Sequence, residues 1–132
     1  MDAMRTSLRV RRQPILAVTG LLLVPAVLAA DPIAIHGVGS SSQQLANGHT
    51  RVHFTVRIDV FNSPLEFNYH WERSDGARSA VKTQYVKRGV TSVPVTTTWE
   101  LGPNAPQEVW QTLFVNTGNT HVQSQPIRYR LH

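Results

Sequence analysis

The chain has 132 residues, a formal net charge of +5 and no cysteine, so disulfides and thiolate metal sites are both excluded. Much of the positive charge lies near the start, because residues 31–132 hold nine Lys/Arg and seven Asp/Glu, a net charge of +2. That balance gives no support to a nucleic-acid partner, for which a clustered basic face is expected.

Residues 1–30 have the composition of a secretory signal peptide. The basic segment MDAMRTSLRVRRQP precedes the uncharged run ILAVTGLLLVPAVLAA, which ends in small residues. This run of 16 residues is shorter than the roughly 20 apolar residues of a membrane-spanning helix. We expect cleavage after Ala29 or Ala30, and hence a secreted or extracytoplasmic domain, residues 31–132, without membrane contact. The paired arginines leave the twin-arginine export route open beside the general one.

The predicted domain begins with two candidate strands. PIAIHGV is predicted to be the first strand, and the polar stretch GSSSQQLANGHT is predicted to be a loop. In RVHFTVRIDVFN, apolar and polar residues alternate, which indicates a half-buried second strand. Its predicted inward residues are Val52, Phe54, Val56, Ile58 and Val60. Asn62-Ser63-Pro64 then predicts a turn.

The stretch LEFNYHWERSDG carries many ionisable residues around a tryptophan. It alternates like the second strand, so that Leu65, Phe67, Tyr69 and Trp71 are predicted to point inward. Its ionisable residues then form the solvent face of a third strand and not an active site. Ser74-Asp75-Gly76 supplies hairpin-turn chemistry, with the Asp75 carboxylate predicted to cap the turn.

Four more strands are predicted in the second half of the domain: SAVKTQYVK, VTSVPVTTTWELG, EVWQTLFVN and PIRYRLH. Pro94 cannot donate to a β-ladder, which places its end of the fifth strand at a sheet edge or a bulge. About seven antiparallel strands without an amphipathic helical pattern predict an all-β, immunoglobulin-like sandwich. Trp71, on the third strand, occupies the place of the core tryptophan in such folds.

Three ordered motifs carry a resemblance to a known group of proteins. They are YHWERSDG at 69–76, TTWELG at 97–102, and Trp110-Gln111 leading into Leu113 and Val115. Together they resemble immunoglobulin-like modules of secreted bacterial proteins of uncharacterised function, over residues 48–132. The resemblance implies the fold and export but no activity. Members commonly carry a cysteine before the second strand and another at the end of the last, where this chain has NGHTRVHF and RYRLH.

The ionisable residues do not form a recognisable catalytic or metal-binding pattern. His53 and His70 are predicted to point outward from strands of opposite sheets, so they could not share a metal ion. Hydrolytic catalysis lacks a G-x-S-x-G sequence, and Glu66 and Glu72 are about 20 Å apart along one strand, too far for a glycosidase pair. We therefore expect no cofactor, no metal and no enzymatic activity.

A binding surface is predicted on the sheet formed by the third, sixth and seventh strands. If Leu113 and Val115 face the core, the outward residues of this sheet include a set of aromatic and charged side chains: His70, Glu72, Trp110, Phe114, Arg128 and Arg130. Aromatic residues beside arginines are typical of protein interfaces and of sugar-stacking surfaces. The alternative is that a bulge turns Trp110 inward, or that the loop GPNAPQ covers it.

The sequence thus predicts a binding or adhesion-type module for a protein, a glycan or a second copy of the chain. An exported inhibitor of a hydrolase fits the same size and fold. It would act through the loops around Asn62-Ser63-Pro64 and Gly102-Pro103-Asn104. A small metal carrier or enzyme is the third class, and it would require the histidines to converge.

Overall fold

A computed structural model describes residues 31–131, which form an all-β sandwich of eight antiparallel strands. The strands are β1 (Ile33–Gln44), β2 (Thr50–Val60), β3 (Leu65–Arg73), β4 (Lys82–Val86), β5 (Ser92–Leu101), β6 (Glu108–Thr117), β7 (Thr120–Gln123) and β8 (Ile127–Arg130). Within residues 31–131, no helix has the length and apolar character needed to span a membrane. The predicted signal peptide, residues 1–30, lies outside the described residues.

The strands form two sheets that enclose one core. One sheet has three strands in the order β1-β2-β5, and the other has five, with the order β4-β3-β6-β7 and β8 also paired to β6. Consecutive strands β2 and β3 therefore belong to different sheets, as the sequence predicts. The described residues belong to one compact unit, and the core lies entirely within it.

Alternation along β2 and β3 puts apolar side chains between the sheets. All five predicted inward residues of β2 are at most 3% exposed, as is Trp71 on β3. The buried core consists of Ile33, Val52, Phe54, Val56, Ile58, Val60, Phe67, Trp71, Val86, Val95, Leu101, Val109, Leu113, Val115 and Ile127. These residues come from seven of the eight strands. Because no cysteine is present, burial of this apolar surface is the main source of stability.

The turn after β3 is held by its aspartate, as predicted. The Ala77 backbone N–H donates to Asp75 Oδ1 at 3.0 Å, and Arg73 Nε donates to the same oxygen at 3.1 Å. The hydrogen bond from Arg73 is the main reason that the pKa of Asp75 lies below its ordinary value. Gly76, with a φ of 91°, completes the turn in the left-handed region that glycine tolerates. Asp75 is therefore a structural residue of this hairpin.

The prediction that GSSSQQLANGHT forms a loop is largely wrong, because β1 continues through residues 40–44. Ser40 pairs with Phe54 and Gln44 pairs with Thr50 in the ladder with β2. This half of β1 is polar because its side chains are exposed on an edge strand, and backbone pairing does not require apolar residues. The small serines also contact β8, since Tyr129 Oη donates to Ser42 Oγ at 2.7 Å.

The last predicted strand is preceded by an additional one, β7, which the sequence did not reveal. β7 pairs with the second half of β6, and β8 pairs with the first half. Ser124 lies between them and is 2% exposed. The final edge of the five-stranded sheet is thus one interrupted strand, and its break falls opposite the middle of β6. The position of Pro94 on β5, an edge strand of the other sheet, confirms its predicted edge placement.

Candidate functional site

The predicted binding residues share the outer face of the five-stranded sheet. In the ladder of β3 and β6, His70 lies opposite Phe114, and Glu72 lies opposite Thr112. In the ladder of β6 and β8, Trp110 lies opposite Arg128. We use the term aromatic–basic face for these residues together with Arg130: His70, Glu72, Trp110, Phe114, Arg128 and Arg130. The register brings all six together, while their role in binding stays a prediction.

Planar side chains on this face are stacked in pairs across neighbouring strands. The rings of His70 and Phe114 are nearly parallel, at an interplanar angle of 6°, with centroids 5.0 Å apart. The guanidinium carbon of Arg128 lies 4.9 Å from the ring centroid of Trp110, within the range of a cation–π contact. Such contacts limit side-chain motion, so the surface is already ordered before a partner binds.

A row of charged groups continues the face toward the edge of the sheet. His70 Nε2 lies 2.9 Å from Glu72 Oε2, and Arg78 donates to the same carboxylate oxygen. These two hydrogen bonds, first the one with His70 and then the one with Arg78, lower the pKa of Glu72 below its ordinary value. Glu72 is therefore a carboxylate held between two donors. A general acid near neutral pH requires a raised carboxyl pKa, and the shift at Glu72 is in the opposite direction.

Trp110 points outward, as predicted, and does not turn inward at a bulge. Its neighbours Val109 and Gln111 are each 1% exposed and face the core. The register of β6 with β3 and β8 runs without a shift through these residues. Pro106, in the loop after β5, and Trp110 line the same cleft. Trp110 is half-buried on the outer face.

This cleft is a feature that sequence reasoning missed. It has a volume of about 410 Å³ and lies where β5 ends and β6 begins. We call it the Trp99–Trp110 cleft after its two tryptophans. Its lining also includes Asp75, Glu100, Leu101, Pro106, Glu108 and Val109. Trp99 packs against the core, but it is only half-buried. The signal available in the sequence was the pair of tryptophans that flank one proline-containing loop, WELGPNAPQEVW.

The histidines are distributed over separate positions. His53 lies on β2 and His70 on β3, in different sheets, as predicted. His36 Nδ1 lies 3.0 Å from Asp59 Oδ2, and His49 Nδ1 lies 3.0 Å from Glu100 Oε2. Among residues 31–131, no three or more His, Asp or Glu side chains form a group that could hold a metal ion. The pairs His36–Asp59 and His49–Glu100 each join neighbouring strands of the three-stranded sheet, or the ends of such strands.

Comparison with known proteins gives only distant structural similarity. No protein-family model matches the chain. No curated protein matches it. The chain is similar to a "putative beta-galactosidase" from Bacteroides fragilis at 10% identity and a TM-score of 0.44, over 68% of this chain and 15% of that one. It is also similar to the "Putative ApaA Protein" from Bordetella pertussis at 13% identity and a TM-score of 0.41, over 76% of this chain and 95% of that one. Similarity at this level indicates neither an activity nor a partner for this chain.

Proposed function

We propose that this protein is an exported, non-enzymatic binding module with an immunoglobulin-like fold. Its aromatic–basic face recognises another macromolecule, in the first instance a protein. The observation that carries the proposal is the cross-strand stacking of His70 on Phe114 and of Arg128 on Trp110 on one open sheet face. Tryptophan, tyrosine and arginine dominate the binding energy of protein interfaces, where pre-ordered side chains lose little entropy on association.

The strand order supports the immunoglobulin-like assignment. In such sandwiches the first, second and fifth strands share one sheet, and the third, sixth and seventh share the other. Here β1, β2 and β5 form one sheet, and β3 and β6 lie together with β7 and β8 in the other. The fourth strand, β4, pairs with β3, whereas constant-type domains place the fourth strand in the first sheet. Trp71 on β3 is 3% exposed, in keeping with the buried tryptophan of the third strand in such domains. Export is supported by the signal-peptide composition of residues 1–30.

The charge distribution of the aromatic–basic face favours a partner that has separate positive and negative patches. The face holds Arg128 and Arg130, both exposed, on one side and the Glu72 carboxylate on the other. Complementary charges on a partner would orient it and raise the association rate. A second copy of the chain meets this condition, because a two-fold axis would place the exposed arginines of each copy opposite the Glu72 carboxylate of its neighbour, which already accepts from Arg78. Self-association is therefore the first binding event to test.

The experiment compares residues 31–132 with two face variants, Trp110→Ala and Phe114→Ala. Sedimentation equilibrium measures self-association, and binding to purified extracytoplasmic proteins measures other protein partners. Tyr85→Ala is the matched control, because Tyr85 is 56% exposed and lies on β4 of the same sheet, outside the face. We expect the two face variants to fold and to lose binding, while the control retains it. Undiminished binding by both face variants would exclude this face as the interface.

A second candidate function, inhibition of a hydrolase through a loop, is supported by one observation. Phe61, in the turn between β2 and β3, is 62% exposed. The turn is held in place, because the Gly89 N–H donates to Ser63 Oγ at 2.9 Å. A fixed turn that presents an exposed aromatic ring suits insertion into an enzyme cleft. Loss of binding in Phe61→Ala, with Phe114→Ala unaffected, would select the inhibitor over the face-binding module.

A further inference from the structure

The Trp99–Trp110 cleft has the size and lining of a small-ligand site. Its volume of about 410 Å³ falls within the range of about 300–1,000 Å³ that is usual for ligand pockets. Leu101, Pro106 and Val109 contribute apolar surface, and the two tryptophans add aromatic rings. Ligand pockets typically combine an apolar lining with a few polar groups that fix orientation. The polar groups of the lining determine which chemical class of ligand fits the cleft.

Three carboxylates line the cleft, and two of them are already paired. Asp75 accepts from Arg73, and Glu100 Oε2 lies 3.0 Å from His49 Nδ1. Arg51 lies 3.5 Å from the other Glu100 oxygen. Glu108 forms no ion pair with any of residues 31–131. The polar groups around the cleft are thus mostly neutralised, but their oxygens still have accepting capacity, since a carboxylate accepts about four hydrogen bonds.

A cationic ligand is disfavoured by the arginines that already stack on both tryptophans. The guanidinium carbon of Arg73 lies 4.2 Å from the ring centroid of Trp99, and that of Arg128 lies 4.9 Å from Trp110. A third cation at these rings would be repelled by both guanidinium groups. An uncharged ligand avoids this repulsion. An anionic ligand would in turn be repelled by the Glu108 carboxylate.

An uncharged sugar ring fits each of these features. One face of a pyranose presents C–H groups that pack against an aromatic ring, and its hydroxyl groups donate to carboxylates. We propose that the Trp99–Trp110 cleft binds an uncharged hexopyranose unit of a glycan, with Trp99 and Trp110 as stacking surfaces and Glu108 as a hydroxyl acceptor. This inference rests on the proposed function only through Trp110, which belongs to both the cleft and the aromatic–basic face.

The test uses residues 31–132 and an array of uncharged glycans that covers the common hexopyranose linkages. The glycan that binds best is then titrated into ¹⁵N-labelled protein, and the three tryptophan indole N–H signals are followed. Trp99→Phe and Trp110→Phe assign these signals. We expect saturable shifts for Trp99 and Trp110, whereas the buried Trp71 serves as the internal reference. Absence of binding to any uncharged glycan would overturn the proposal, and so would shifts of both cleft signals with choline chloride but not with the sugars.

Variants separate this proposal from the proposed function. Trp99→Ala is expected to weaken glycan binding about tenfold, the equivalent of one stacking contact. Glu108→Gln, which keeps the shape of the side chain but removes its charge, should weaken it without loss of folding. Phe114→Ala should leave glycan binding unchanged and affect only the partner of the aromatic–basic face. If glycan binding depended on Phe114 but not on Trp99, the sugar would bind at the aromatic–basic face. That result would overturn its assignment to the Trp99–Trp110 cleft.

Discussion

Ser124 and Leu113 form a reciprocal pair of hydrogen bonds at the break between β7 and β8. The Ser124 N–H donates to the Leu113 carbonyl at 2.9 Å, and the Leu113 N–H donates to Ser124 Oγ at 2.9 Å. The hydroxyl thus replaces the backbone carbonyl that a continuous strand would supply. Both residues are at most 2% exposed, so water cannot easily take over either bond.

Ser124→Ala is therefore expected to destabilise the domain by about 1–3 kcal/mol, because it leaves the buried Leu113 N–H without its acceptor. Urea denaturation of residues 31–132 measures this change. Ser42→Ala is the control, since Ser42 also accepts one hydrogen bond, from Tyr129 Oη, but is exposed. If Ser42→Ala lowered the free energy of unfolding as much as Ser124→Ala, the loss in Ser124→Ala could not be attributed to burial of its hydrogen bond.

Trp71→Ala and Phe114→Ala should differ clearly in their effect on stability. Trp71 is 3% exposed between the sheets, and truncation of a buried tryptophan costs about 3–5 kcal/mol. Phe114 is half-buried on the outer face, so its truncation should cost only about 1–2 kcal/mol. Thermal and urea unfolding of both variants provide the comparison. Equal losses would show that Phe114 acts as a core residue.

The contact between Arg128 and Trp110 is expected to contribute about 0.5–1 kcal/mol, the usual range for an exposed cation–π pair. Arg128→Met removes the cation but keeps much of the side-chain volume. Arg130→Met is the matched control, because Arg130 lies two residues further along β8 and is also exposed. We expect Arg128→Met alone to change the tryptophan fluorescence and to reduce stability. The same result for both variants would point to net charge and not to the stacked ring.

Stability should fall as the pH decreases into the acid range. In the folded state, His70 and Arg78 lower the pKa of Glu72, and Arg73 lowers the pKa of Asp75. Each carboxylate therefore adds stability above its unfolded pKa, and this contribution is lost as the pH falls through the lower folded pKa, below about pH 4. The double variant Glu72→Gln, Asp75→Asn should flatten this dependence.

The measurement for this prediction is the urea midpoint of residues 31–132 as a function of pH. The effect is expected to be small, because both carboxylates are partly exposed to solvent. Glu66→Gln, an exposed glutamate on the same strand, is the control and should retain the dependence of the unaltered chain. A double variant that follows the same pH curve as the unaltered chain would contradict the prediction.

The alternating pattern of apolar and polar residues was enough to predict the strands whose side chains alternate between core and solvent. Along β2 and β3, one face must be buried, and a shift of one residue would expose every apolar side chain. The inward positions of Val52, Phe54 and Trp71 could therefore be predicted from the pattern alone. The outward direction of Trp110 and Phe114 followed from the same period of two.

Strands without an alternating pattern, and contacts between residues far apart in the sequence, could be recognised only in the folded domain. The polar half of β1 and the short β7 are strands because their backbones pair with a neighbour, which leaves no periodic signal when the side chains are exposed. The Trp99–Trp110 cleft requires the loop after β5 to bring the ends of β5 and β6, which belong to different sheets, around one space. An alternating pattern specifies which face of a sheet a residue occupies. Which strand ends lie next to each other depends on the path of the chain between the sheets.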